Sequence, residues 1–368
     1  MIKVWDYLRE YHAEKHEVDE AISQVMESGM LILGENVRNF ESAFSAYSGC
    51  RHGVGVNSGT DALFIALRAL DIGPGDEVIT VSNTAVPTVS AIHATGATAR
   101  FVDIDPHTYL MNVDQLEAAV TDNTRCILPV HLFGQCVDMD KVNEVAERHS
   151  LHVVEDCAQA HGAKQKNRVA GSMSDLSAFS FYPTKILGGY GDGGMILTST
   201  QELESRCRRL RFYGMDKQYY SLEQGYNSRL DELHAAILLR KLKHLDDYIA
   251  RRRQLAELYY RELGDTEYIL PAVGDNNFHS YYLFVCRHPK RDFILQYLRE
   301  RDIFLNISYP WPIHIMPAYE HLGYQAGELP ETEKAAKEIF SLPMFPSLKD
   351  EEAMQTCKVL KEALAKAE

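Results

Sequence analysis

The sequence predicts an α/β protein: a large domain whose mostly parallel sheet is covered by helices on both faces, followed by a small C-terminal α+β domain. Three observations predict it. From about residue 15 to residue 240, short apolar runs alternate with helix-period patterns. The runs are continuously apolar rather than alternating, as strands covered on both faces require. Beyond residue 263 the pattern changes to strand, helix, strand and a closing helix. The predicted division is therefore 1–240, N-terminal helices and large domain, and 241–368, linking helix and small domain.

The chain opens with two amphipathic helices, one carrying Val18, Ile22, Val25 and Met26, the other Val37, Phe40, Phe44 and Tyr47. Strand-like runs follow at 53–56, 77–81, 99–102, 126–130 and 152–155. Between them lie helical patterns at 61–70, 86–95, 114–120 and 139–149. Two further strands, 176–181 and 194–198, complete the large sheet. A long charged helix over 231–263 leads to strands at 281–286 and 303–307 that flank a helix over 291–301, and a helix over 351–365 ends the chain. There is no internal repeat and no low-complexity linker, which predicts a rigid junction between the domains.

Composition narrows the function. Hydrophobic residues make up 45% and charged residues 24%, enough for a large core. Lys and Arg total 38 against 52 Asp and Glu, a net charge of −14 that argues against a nucleic-acid partner. The basic clusters at 206–211 and 251–253 read as solvated helix faces. The start, MIKVWDYLREYHAEKHEVDE, lacks the features of a signal peptide, and no run approaches the length of a membrane span. A cytoplasmic protein without membrane partners is expected. The 7 cysteines form no CxxC pair, so neither a disulfide framework nor a metal site is expected.

Open parallel sheets bind ligands at the carboxyl ends of their strands, and three such ends carry suggestive groups. Asn57-Ser58-Gly59-Thr60-Asp61 follows the strand HGVGV and opens a helix, where free N–H groups and the helix dipole attract an anion and Gly59 permits close approach. An ordinary N-cap fits the same residues. Asp156 follows the run His152-Val153-Val154-Glu155, where a carboxylate can pair with a positive ligand atom or cap a turn. Neighbouring His161 reads as a structural histidine. Lys185 ends Phe179-Ser180-Phe181-Tyr182-Pro183-Thr184-Lys185 beside the glycine-rich run 188–194. A lysine held there can act as an amine nucleophile toward carbonyls, or it is a surface lysine. The glycines do not form a GxGxxG fingerprint between strand and helix. Together, an anion cradle, a carboxylate and a lysine are the parts that a pyridoxal phosphate enzyme needs.

The motifs NSGTDAL (57–63), GPGDEVIT (73–80), PVHLFGQ (129–135), VVEDCAQAHG (153–162), SFYPTKILG (180–188), GYNSRLDELHAA (225–236) and YPWPIHIMPAY (309–319) stand in this order. With them the chain resembles the fold type I, pyridoxal-phosphate-dependent sugar-nucleotide aminotransferases, the family that includes DegT and StrS. The resemblance runs from the N-terminal VWDYL to the last helix. It implies an aspartate aminotransferase-like large domain that binds pyridoxal 5'-phosphate, with pyridoxamine 5'-phosphate formed during turnover. Lys185 is then the lysine that carries the cofactor and shuttles a proton. Asp156 pairs with the pyridine nitrogen, Gln159 lies near the ring, and Gly59, Thr60 and Ser180 bind the phosphate. Asn227 corresponds to a residue given to that phosphate by the neighbouring subunit, which implies a homodimer with shared sites.

Tyr309, Trp311 and His314, in a segment stiffened by Pro310 and Pro312, are implied by the resemblance to hold the nucleotide-sugar, with Tyr182 and His131 as further candidates. Aromatic packing between the domains fits the same residues. Many relatives carry an aromatic residue, in a motif like TFVAT, that stacks on the pyridine ring; here the segment reads Thr84-Ala85-Val86-Pro87-Thr88. Relatives that act as 3-dehydratases replace the lysine with histidine, so Lys185 points to transamination. The resemblance is nearest to enzymes that aminate C3 of a dTDP-3-keto-6-deoxyhexose with an amino acid, L-glutamate, as donor in deoxyamino-sugar biosynthesis. Amination at C4 of a nucleotide-4-keto-6-deoxyhexose is the alternative. A regulator that keeps only the fold would be expected to have lost part of the cofactor set.

Overall fold

The structure is a computed structural model and describes residues 1–367. Its centre is a 7-stranded sheet made of β1 (His52–Val56), β2 (Glu77–Val81), β3 (Thr98–Val102), β4 (Thr124–Ile127), β5 (His152–Asp156), β6 (Leu176–Ser180) and β7 (Gly194–Thr198). The strand order is β1-β7-β6-β5-β4-β2-β3. Only β7 runs against its neighbours β1 and β6; the other pairings are parallel. Every residue of β6 and β7 is buried, as strands covered on both faces require.

Helices α1 (Tyr7–Ser28), α2 (Glu35–Tyr47), α3 (Gly59–Ala69), α4 (Val86–Ala94) and α5 (Met139–His149) match the predicted pattern within a few residues at their ends. On α2 the spacing of Phe40 and Phe44 puts both rings on one face. There Phe44 meets Phe179 edge-on at 4.9 Å and Phe40 meets Phe181 at 5.1 Å. Burying each such ring contributes roughly 1.5–3 kcal/mol, and Phe179 on β6 and Phe181 just past its end are thereby fixed on the way to Lys185.

Several expectations are corrected. The single helix over 231–263 is two helices, Glu232–Leu242 and Leu245–Leu263, because His244 leaves the helical region at φ −102°, ψ 1°. The break lets the first helix pack on α1 and α2 while the second packs on the closing helix, Asp350–Ala367. The strand over 281–286 starts only at Phe284, since Tyr281 has φ +50°, and the strand over 303–307 is limited to Ile303–Phe304. The helix over 114–120 is a 3₁₀ turn, Val113–Gln115, followed by Leu116–Ala119.

Two segments cross the predicted boundary at residue 240. Ile2–Lys3 forms a parallel pair with Ile303–Phe304, and Arg9 holds both carboxylate oxygens of Glu352 at 2.6 and 2.7 Å. The cause is apolar: Ile2 and Trp5 pack on the C-terminal core. In the other direction Ile313, Tyr319, Ala335 and Ile339 pack into the core of the large sheet.

Candidate active site

The register of β7 builds the site. Gly194 stands opposite Val56 of β1 and Ser180 of β6, so the loop between Ser180 and Gly194 lies over the carboxyl ends of both strands. The fit there is tight. A Cβ on Gly194 would lie 2.3 Å from the carbonyl oxygen of Ser58, and one on Gly59 would lie 2.6 Å from Cβ of Ser180. Helix α3 begins at this contact. Ser58 caps it by accepting the Asp61 N–H at 3.1 Å, while the N–H groups of Gly59 and Thr60 belong to the first turn, where no intrahelical carbonyl reaches them.

A cavity of about 290 Å³ opens beside this helix start. Of the residues singled out from sequence, Gly59, Thr60, Asp156, Gln159, Ser180, Tyr182 and Lys185 line it. Asp156 is buried; one carboxylate oxygen accepts the Thr88 hydroxyl at 2.8 Å and the other the Ala158 N–H at 3.1 Å. Burial raises this carboxyl above its ordinary range, against the opposing pull of the Ala158 N–H, the Thr88 hydroxyl and the Lys185 charge. Lys185 makes no ion pair with any described residue; its Nζ sits 4.5 Å from the centre of the Tyr282 ring, and the Tyr282 hydroxyl lies 3.1 Å from Thr184 Oγ1.

Gln159 is held at both ends. Its amide oxygen accepts the Phe133 N–H at 2.9 Å and its amide nitrogen donates to the Tyr309 hydroxyl at 2.9 Å. Tyr309 thus joins the site through Gln159, and burial pushes its phenol above the ordinary value. Thr84, Ala85, Pro87 and Thr88 form another wall, with no aromatic side chain among them.

Five expected residues lie off the cavity lining: Tyr309, which joins it through Gln159, and His131, His314, Trp311 and Asn227. His131 is fully buried: Nδ1 accepts the Val137 N–H at 3.1 Å, leaving Nε2 to donate to Glu155 at 2.8 Å. Both ring nitrogens are engaged in the core, so His131 has no face left for a substrate. Burial works to raise Glu155, but His131 and the Gly171 N–H outweigh it and hold its carboxyl low. His314 is likewise fully buried, 2.8 Å from Ser82 Oγ and 3.2 Å from Glu333. Its role is to pin the 313–315 turn to the large domain. Trp311 is 70% exposed. Asn227 is exposed too, although Ser228 beside it donates to Asp61 at 2.6 Å and accepts the Asn57 N–H at 3.1 Å.

Thr88, Tyr282 and Asp192 belong to the site but were not singled out from the sequence. Thr88 lay inside the segment read only for a missing aromatic residue, and Asp192 was hidden among glycines. Tyr282 comes from beyond residue 240 and carries no motif. His161 is enclosed by Phe44, Phe179 and Phe181, and burial lowers it to about 3, which keeps it neutral. His131, Glu155 and Cys157 stand close together, but Glu155 is already saturated by His131, the N–H groups of Gly171 and Met173, and the Ser174 hydroxyl. Among the described residues no helix is long and apolar enough to cross a membrane.

Comparison with known proteins places the chain and its fold in one family. A sequence model of the DegT/DnrJ/EryC1/StrS aminotransferase family matches residues 12–361. A dTDP-3-amino-3,4,6-trideoxy-alpha-D-glucose transaminase from Micromonospora megalomicea subsp. nigra is 53% identical over 94% of both chains. A pleiotropic regulatory protein from Geobacillus stearothermophilus is 45% identical over 95% of both chains. The crystal structure of S. venezuelae DesV in complex with a ketimine intermediate superposes with a TM-score of 0.95 at 42% identity, covering 97% of this chain and 96% of that one. Other solved relatives hold pyridoxal phosphate or its amine form.

Proposed function

Because the chain belongs to the DegT/DnrJ/EryC1/StrS aminotransferase family, whose cofactor is pyridoxal phosphate, we propose that it moves an amino group from L-glutamate to C3 of a dTDP-3-keto-6-deoxyhexose. The observation that carries this reading is the convergence of Lys185, Asp156, Ser180 and the start of α3 on one cavity. The relatives that are 53% and 44% identical are named as dTDP-3-amino-trideoxyglucose transaminases, which favours C3 over C4.

The donor set fits the cofactor. A phosphate would meet the N–H groups of Gly59 and Thr60 and the Ser180 hydroxyl, at a point where a Cβ on residue 59 would collide with Ser180. Among the described residues Asp156 forms no ion pair, and its two hydrogen bonds leave lone pairs on both carboxylate oxygens that would hold a protonated ring nitrogen. Once bound, pyridoxal phosphate supplies an electron sink for exchange of an amino group and a proton at carbon. Lys185 first holds the cofactor and then, as a free amine, takes the proton from the donor's α-carbon and delivers one to the sugar carbon that receives nitrogen. Gln159, fixed by Phe133 and Tyr309, orients the ring, and Tyr309 closes the side from which the hexose arrives.

The enzyme works as a cytoplasmic homodimer in this reading. Asn227 is exposed and does not line its own chain's cavity, which leaves it free to reach a neighbour's phosphate site, and all 7 cysteines are free and buried. The division into a large cofactor-binding domain and a small C-terminal one is kept, with the N-terminal strand joined to the small domain. One relative is named a regulator, but the intact lysine, carboxylate and phosphate cradle favour catalysis. The test is direct: the purified holoenzyme with glutamate and the 3-keto sugar should form a 3-amino sugar and 2-oxoglutarate in equal amounts, and K185A should form neither. Appreciable turnover by K185A would contradict the assignment.

A further inference from the structure

We infer that Asp192 is the residue that reads the hexose, its carboxylate accepting hydrogen bonds from ring hydroxyls of the sugar. This rests on the reading of the cavity as the place where a keto sugar receives its amino group. Asp192 lines that cavity beside Lys185, is exposed, and makes no hydrogen bond or ion pair with any described residue. Asp156, the other carboxylate among the described residues that line the cavity, is buried and is already assigned to the cofactor's ring nitrogen.

The loop that presents Asp192 is fixed by contacts that admit only glycine. A Cβ on Gly191 would lie 2.4 Å from His234 Nε2, and one on Gly194 would lie 2.3 Å from the Ser58 carbonyl oxygen. His234 in turn is clamped by Asp231, with Nδ1 2.8 Å from its carboxylate. His234 feels the charge of Asp192 but does not bond to it. A carboxylate held this firmly, with its acceptor sites unused, is a recognition group in waiting.

Charge selects among the ligands that visit the cavity. Glutamate brings two carboxylates to the cavity, and a fixed anion beside Lys185 repels them. The hexose is neutral and offers hydroxyl donors, for which an ionised carboxylate is a strong acceptor. Asp192 therefore favours the sugar half-reaction and opposes the donor half-reaction.

The test compares D192N with the wild-type holoenzyme in each half-reaction and in binding of dTDP-glucose, an unreactive hexose probe, and of dTDP alone. The sugar half-reaction and dTDP-glucose affinity should each fall about tenfold or more, the size of a lost charge-assisted hydrogen bond. The glutamate half-reaction should stay level or quicken, and dTDP affinity should change less than about twofold. Equal losses for both half-reactions, no loss for either, or dissociation of the oligomer in D192N would overturn the inference. Failure of the wild type to bind either nucleotide probe would instead overturn the substrate reading beneath it.

Discussion

Gln159 donates a 2.9 Å hydrogen bond to the hydroxyl of Tyr309, joining a residue that follows the central strand β5 to one that lies 150 positions away in the C-terminal part of the chain. The bond ties the orientation of the cofactor side of the site to the segment that faces substrate. Because burial keeps the phenol protonated, the bond does not vary with pH near neutrality. Y309F leaves the Gln159 amide nitrogen without this acceptor. We expect kcat/KM to fall about fivefold to tenfold, as for a neutral hydrogen bond lost in a site, together with a change in the visible spectrum of the bound cofactor. An unchanged spectrum with unchanged kinetics would show that Gln159 does not depend on Tyr309.

Gly59 lacks room for any side chain, since its Cβ would stand 2.6 Å from Cβ of Ser180. In G59A either α3 retreats from β6 or Ser180 turns away, and both open the phosphate cradle. Cofactor affinity should fall by at least about tenfold, roughly 1.4 kcal/mol, when followed by fluorescence titration. Wild-type affinity in G59A would place the phosphate elsewhere.

His131 supplies a contrast, because its structural role is separable from substrate binding. Removing its ring takes one hydrogen-bond donor from the buried Glu155 carboxylate, a change that costs about 1–3 kcal/mol. H131A should therefore lower the denaturation midpoint sharply while KM for the nucleotide-sugar stays within about twofold of the wild type at a temperature where the variant is folded. A raised KM with unchanged stability would return His131 to the substrate pocket.

The clamp between His234 and Asp231 makes stability depend on pH with a definite sign. Its hydrogen bond to Asp231 raises His234 above the ordinary 6.5, and, although burial opposes it, His234 lowers Asp231 below the ordinary 3.8. The histidine contribution is complete below 6.5 and is lost as pH rises through the raised value. The aspartate contribution is complete above 3.8 and is lost as pH falls through the lowered value. Thermal midpoints of wild type and H234Q should differ most between those two ordinary values and converge above the raised histidine value. A difference that grows toward alkaline pH would contradict the pairing.

Most of the large sheet was legible in the sequence because strands buried on both faces leave apolar runs, as in Met195-Ile196-Leu197 of β7. Lys185, Asp156 and the start of α3 could be read because they follow such runs directly. The rest was set by distant packing. His131 and His314 stand in motifs beside the site, yet their partners, Glu155 and Ser82, are fixed by tertiary contacts that local sequence does not reveal. Asp192 was masked by its glycine neighbours, whose purpose appears only once His234 and Ser58 are in place. The break at His244 was hidden within a charged, helix-favouring stretch.

Amination at C3 is tested by loading the enzyme with pyridoxamine phosphate and mixing it separately with dTDP-3-keto- and dTDP-4-keto-6-deoxyhexoses. Return of the visible absorbance of the pyridoxal form is followed, and the position of nitrogen in the product is identified by NMR. Rapid return with the 3-keto sugar alone, and a 3-amino product, are expected. Return with the 4-keto sugar alone would contradict the assignment of the ring carbon.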